Sequence, residues 1–194
     1  VEEMDERPDE ILVEEARGGR TEAFAELARR YQQRIFRLIY GMTRNSVDAD
    51  DLAQEVFLAA FKSLPTFGRK SGFYTWLYRI AVNHSLNFLK KRNREKERDD
   101  FDENLRPSDD VRAASYSPEG SSIRGEIEDK IRQAVNSLPP HQRASFLLVV
   151  DQGMSHAEAA AILGCSENTV SWRMHKARKR LQSELKPFLT EAGS

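Results

Sequence analysis

The stretch SHAEAAAILGCSENTVSWRMHKARKRLQSEL, residues 155–185, decides the fold of the C-terminal part of this 194-residue chain. Ser155 with Glu158 three residues later forms a capping box, which opens a short Ala-rich helix. Its small side chains permit close approach by a neighbouring helix. Gly164 breaks that helix, Cys165 fills the turn as a small buried residue, and Ser166 can cap the next helix. Helix, tight turn and second helix together make the pattern whose second helix enters the major groove of duplex DNA. At 100° per residue, Val170, Met174, Ala177 and Leu181 share the inward side of that second helix. Trp172, His175, Lys176 and Lys179 lie opposite, with Ser171 and Arg178 on one flank and Arg173 and Arg180 on the other. Ser171, Trp172, His175 and Lys176 sit where such helices touch base edges. Arg173, Arg178, Lys179 and Arg180 suit phosphates.

Outward from this stretch, apolar residues recur at i, i+3, i+4 and strand-like alternation is absent, so the chain reads as all-α. Helices are expected at 9–17, 22–42, 47–64, 73–98, 123–137, 140–151, 155–163 and 167–185. Gly18-Gly19 stops the first and Pro65 the third. Phe24, Leu27, Ala28, Tyr31, Ile35, Leu38 and Ile39 make the buried stripe of the second. Residues 99–122 are rich in Asp, Ser, Pro and Gly, the composition of a flexible acidic linker. The expected architecture is two small helical bundles, 1–98 and 123–194, joined by that linker, the second a helix-turn-helix domain.

Composition removes several function classes. One cysteine, Cys165, excludes an internal disulfide and a Cys-rich zinc site, and four scattered histidines offer no metal cluster, so no metal and no cofactor is expected. No apolar run approaches the ~20 residues of a membrane span and the N-terminus is acidic, so a cytoplasmic protein without membrane insertion is expected. The net charge of −1 hides balances of −5, +7, −7 and +4 over residues 1–66, 67–98, 99–129 and 130–194. Two basic blocks around an acidic one fit two nucleic-acid-facing surfaces or, as plainly, ordinary solvated helix faces.

The basic block in the first bundle carries its own pattern. Most of the girth of the fourth helix is apolar, leaving a narrow stripe of Trp76, Arg79, Asn83, Asn87 and Lys90. Phe67, Arg69, Lys70, Phe73 and Tyr74 precede it. Rings stack on unpaired bases, amides bond their edges and cations follow phosphates, so this suits a single strand. The alternative is that Phe73, Tyr74 and Trp76 plug the core. On the third helix Asp51, Gln54, Glu55 and Leu58 share one side: a docking face for a basic protein helix, or a solvated face.

Three motifs in order resemble the extracytoplasmic-function sigma factors of the bacterial sigma-70 class. They are Asp50-Asp51-Leu52-Ala53-Gln54-Glu55-Val56-Phe57, the run Phe73-Tyr74-Thr75-Trp76-Leu77-Tyr78-Arg79-Ile80-Ala81-Val82-Asn83, and Ser137-Leu138-Pro139-Pro140 leading into the helix-turn-helix. The resemblance implies a region 2 bundle, a region 4 bundle and a promoter-specificity subunit of RNA polymerase. It implies that Asp51, Gln54 and Glu55, beside Leu58, meet the coiled coil of the polymerase β′ clamp, and that region 4 meets the β flap. It further implies that residues 67–71 (Ser71 included) and the face around Asn83 capture a flipped base of the −10 element, with Asn87 and the basic run near it. The last long helix would read duplex DNA at −35, and an anti-sigma factor would be a partner in a stress or envelope response. Where the family often carries Arg then Ser after Thr-Val, this chain has Ser171 and Trp172, and many members carry Asp at the position of Asn87.

Two other classes compete. A helix-turn-helix regulator would bind duplex DNA without polymerase, usually as a dimer on a two-fold site. An enzyme acting on nucleic acid would need carboxylates or a His–carboxylate set clustered in a cleft. The acids here are spread over a helix face and the linker, so no bond chemistry is expected.

Overall fold

The computed structural model describes residues 7–68, 71–99 and 123–191; the linker reading, beyond Asp99, lies outside them, as do Arg69 and Lys70. α1 (Asp9–Arg17) starts after Pro8 with Asp9 and Glu10 in its first turn, where acids suit the helix dipole, and ends at Gly18 and Gly19, the latter at φ 96°. α2 (Thr21–Thr43) buries Phe24, Leu27, Ile35, Leu38 and Ile39 as the periodicity predicts, and Met42 besides. Asp9 ties α1 to α2: it accepts from the Tyr31 hydroxyl and, at 2.8 Å, from Arg30.

Between α2 and α3 (Ser46–Ser63) the chain turns through Arg44 in the left-handed region, φ 62°. For a residue with a Cβ this costs about 1–2 kcal/mol. The Arg44 guanidinium lies 5.5 Å from the Tyr40 ring centroid, and Asn45 caps α3, its Oδ1 accepting from the amides of Val47 (2.8 Å) and Asp48 (3.1 Å). Pro65 does not simply stop α3. It sits inside a 3-10 turn, Leu64–Thr66, because proline is compatible with the first positions of a new turn. α4 (Phe73–Asp99) buries Leu77, Tyr78, Ala81, Val82 and Leu89, while Leu86 and Phe88 stay half-buried.

In the second bundle α5 (Ile123–Ser137), α6 (Pro140–Phe146), α7 (His156–Leu163) and α8 (Glu167–Glu191) pack with α8 at the centre, touching the other three. The single helix expected over 140–151 is two pieces. α6 widens into a π-helical turn, Leu147–Asp151, before Gly153 (φ 70°). α8 continues past the expected Leu185 and through Pro187, where it lacks one backbone bond. The capping box is present in both halves: Ser155 Oγ accepts from the Glu158 amide (3.2 Å) and Glu158 Oε2 from the Ser155 amide (2.8 Å). Ser155→Ala is expected to lower stability by about 1 kcal/mol, read as a drop in thermal midpoint with the exposed side chains of α8 untouched.

The bundles are in contact rather than merely tethered. α7 lies on α4, and the π-helical turn meets α2 at Gly41, whose missing side chain makes room for Leu147.

Candidate nucleic-acid interface

The second helix of the helix-turn-helix is sorted as its periodicity requires. Val170, Met174, Ala177 and Leu181 are buried, and Ser171, Trp172, His175, Lys176, Arg178 and Lys179 are exposed. Gly164, at φ 62°, makes the tight turn, and Ser166 Oγ caps α8 by accepting from the Thr169 amide at 3.2 Å. Trp172 is 56% exposed, and the Lys176 ammonium stands 5.7 Å from its ring centroid. That cation–π contact steadies both groups on the outer face without burying either. Ser171 Oγ lies 2.9 Å from His156 Nδ1, so the first helix supports the second at a candidate base contact. A cleft beside this face is lined by Gln142 and Ser183 together with Lys176, Lys179 and Arg180. Arg180 also pairs with Glu184 at 3.1 Å; the Ser137 hydroxyl, then Arg180, holds that carboxyl below its usual range.

Arg173 departs from the expected pattern. It is half-buried, with Nη1 3.7 Å from the Cys165 sulfur, which is itself half-buried rather than buried. At position 173 the side chain reaches back over the preceding turn, as helical geometry directs, and lies on the protein instead of in the open.

On α4 the stripe is only partly free. Asn83, Asn87 and Lys90 are exposed, Ser71 and Trp76 are half-buried, and Phe67 is 6% exposed. The Phe67 ring is therefore not displayed for a base, contrary to the expectation. It packs 4.8 Å from Trp76 and 6.4 Å from Phe73, plugging the bundle because the 3-10 turn points it inward. Trp76 shares that cluster, 5.7 Å from Phe73, yet keeps part of its surface open. Arg79 is exposed, but its Nη2 donates to the Ala161 carbonyl of α7 at 2.6 Å.

A groove runs between α2 and α3. Ala28, Phe36, Ala53 and Phe57 form an apolar floor, and Gln32, Gln33, Arg37, Asp50 and Gln54 a polar rim. Asp51, Gln54 and Glu55 are exposed, and Leu58 is 53% exposed. Glu55 Oε2 lies 3.7 Å from His84 Nδ1 of α4. The α2 wall was missed by sequence reading. Its signal was Phe36, an aromatic residue between Ile35 on the buried stripe and Arg37 on the polar face. Among the described residues no group of His, Cys, Asp and Glu could hold a metal ion, and no helix is long and apolar enough to cross a membrane.

Comparison with known proteins supplies the remaining constraint. The sigma-70 region 2 family matches residues 27–95 and the sigma-70 region 4 family residues 128–181. The RNA polymerase sigma-H factor of Pseudomonas aeruginosa is 34% identical over 192 residues, covering 97% of this chain and 100% of that protein. The ECF RNA polymerase sigma-E factor of Escherichia coli K12 is 33% identical over 185 residues, 93% of this chain and 96% of that protein. Among solved structures, CnrH in complex with the cytosolic domain of CnrY superposes with TM-score 0.67 at 25% identity, covering 92% of this chain and 97% of that one. The sigma factor RpoE of Bartonella quintana, bound to the anti-sigma factor NepR, gives TM-score 0.63 at 27% identity, with coverage of 84% and 96%.

Proposed function

Because this chain belongs to the extracytoplasmic-function sigma factors of the sigma-70 class, we propose a division of labour among its faces. Its work is promoter-directed transcription initiation with RNA polymerase. Residues 1–98 form the unit that binds core polymerase and the −10 element, 99–122 the connection, and 123–194 the unit that reads −35. The observation carrying this division is the pairing, in one chain, of a basic outward helix-turn-helix face with an apolar groove edged by Asp50 and Gln54, next to which Asp51 is exposed. A regulator acting alone needs the first and has no use for the second.

The groove, with Gln54 at its edge, and the exposed Asp51, Glu55 and Leu58 of α3 take the β′ clamp coiled coil; the second bundle meets the β flap. Trp76, Asn83 and the neighbouring Asn87 and Lys90 hold the opened −10 strand. Opening is driven by binding: capture of an extruded base offsets an unstacking cost of a few kcal/mol. Ser171, Trp172, His175 and Lys176 face −35 base edges, while Arg178 and Lys179 take phosphates. An anti-sigma factor is a further partner, as it is for the Bartonella relative.

The test is run-off transcription by core polymerase on a promoter library, with and without the chain. Specific start sites that depend on the chain are expected; their absence, with duplex binding by the chain alone, would mark an independent regulator. Within α8, Lys176→Ala is expected to change the preferred −35 sequence. Lys179→Ala should weaken binding to all sequences alike and reduce the slope of log affinity against log salt by about one. A library showing the reverse would overturn the sorting of that face.

A further inference from the structure

We infer that His156, on the first helix of the helix-turn-helix, sets the hydrogen-bond polarity of Ser171 and so selects the base this serine reads, an adenine or cytosine rather than a guanine or thymine. This rests on the promoter reading above and deepens it at one position of the −35 face.

A serine inside a helix commonly turns its hydroxyl back onto its own backbone. Ser63, Ser85 and Ser145 do so, donating to the carbonyls of Ala59 (2.6 Å), Ala81 (2.9 Å) and His141 (3.0 Å), each four residues earlier. Ser171, in the second turn of α8, does not. Its Oγ turns away from its own helix and meets His156 Nδ1 of α7 at 2.9 Å. Ser171 is exposed and His156 half-buried, so the pair lies at the margin of the outer face and not in the core.

The imidazole is held from behind. His156 is the first residue of α7 and follows Ser155, whose amide and hydroxyl both donate to Glu158 Oε2, at 2.8 and 2.7 Å. That capping box fixes the backbone from which the ring projects. Packing of α7 on α8 keeps the ring across from Ser171.

A hydroxyl has one proton to give and two lone pairs to offer. An unrestrained serine uses either, and so serves bases of both kinds. A neutral imidazole shares one proton between two nitrogens. In water that proton favours Nε2, which has no hydrogen-bond partner among the described residues to draw it away. Nδ1 then accepts, and the Ser171 proton is committed to it. What Ser171 keeps for DNA is its lone pairs. In the major groove, adenine N6 and cytosine N4 are the donors; guanine O6 and N7 and thymine O4 accept, and would meet a lone pair. Trp172, Lys176 and Lys179, exposed on the same face, can only donate. An acceptor at Ser171 reads the amino groups that they cannot.

The experiment uses the full chain with core polymerase on promoters randomised at −35, with the run-off products sequenced. Ser171→Ala identifies the base pair Ser171 meets, as the one whose preference it erases. At that pair the parent should favour adenine or cytosine about fivefold, the effect of one hydrogen bond. His156→Ala should bring the ratio to about one, because a freed hydroxyl serves either kind of base. His156→Asp places an acceptor-only oxygen as many bonds from the Cβ as Nδ1 is, and aspartate suits the first turn of a helix. It should keep the parent ratio while weakening binding to all sequences through its charge. A side chain needed only for packing would not be replaced by a smaller, charged one. Ser171→Arg, which can only donate, should turn the preference to guanine. A parent that favours guanine or thymine at that pair, or a ratio unchanged in His156→Ala, would overturn the assigned polarity and leave the promoter reading standing. No change at any pair in Ser171→Ala would overturn it too, and would remove Ser171 from the base contacts. A parent chain that directs no start sites would overturn the promoter reading and the polarity together.

Discussion

The double substitution Asp51→Lys, Gln54→Lys is expected to lower affinity for core RNA polymerase about a hundredfold, because it turns the acidic exposed face of α3 beside the groove basic. Both side chains are exposed on α3, beside the apolar floor of Ala28, Phe36, Ala53 and Phe57. A helix that buries apolar side chains on that floor places its flanking charges against this rim. With Asp51 and Glu55 on the exposed face of α3 beside the rim, basic flanks are attracted; with lysines they are repelled, and like-charge juxtaposition is among the larger electrostatic penalties at an interface. Neither residue contributes to the core, so the thermal midpoint should stay near that of the parent. Titration of labelled core checks the effect. An affinity within twofold of the parent, with the fold intact, would remove the groove from the polymerase interface.

Trp76→Ala carries the second large effect, and it acts on two properties at once. The ring is half-buried against Phe67 and Phe73, so truncation leaves a gap in the aromatic plug and should cost about 2–3 kcal/mol of stability. In the proposed promoter reading the open part of the ring stacks on an unpaired base. Losing a stack worth ~1–3 kcal/mol should reduce strand opening roughly 5- to 150-fold. Trp76→Phe separates the two, refilling most of the gap while offering a smaller stacking surface. Stability should largely return, with opening only partly restored. Permanganate reactivity of −10 thymines reads opening, and thermal unfolding reads stability. If Trp76→Ala lost stability but opened the promoter normally, the tryptophan would be a plug and nothing more.

Most of the secondary structure was legible because its signals are local. Ser155 with Glu158, the Gly164 turn and the Val170, Met174, Ala177, Leu181 stripe each depend on neighbours within four residues, and each is found as read. The π-helical turn after α6 was not legible. Leu147-Leu148-Val149-Val150 is an apolar run that fits either helix type, and contact with α2 is a long-range matter. The stripe on α4 was right as an outward face but too generous toward Phe67, because sequence spacing does not say which way a ring leaves a 3-10 turn. Arg173 stands on the flank that the wheel gives it, but wheel angle does not say that a long guanidinium folds back on the protein, here toward Cys165. Asn45 and Gly41 were readable and overlooked. An Asn just before a helix and a Gly inside one both ask for an explanation, the first a cap and the second a close neighbour.

The seam between the bundles joins α7 and α6 to α4, and α6 with its π-helical turn to α2. Its two sides are parts of one chain, and a connection of this length supplies an effective concentration on the order of 1 mM. Surfaces with a dissociation constant of only about 0.1 mM as separate molecules would then be associated roughly nine-tenths of the time. Tethering therefore sets how firmly the bundles hold together as much as the residues between them do.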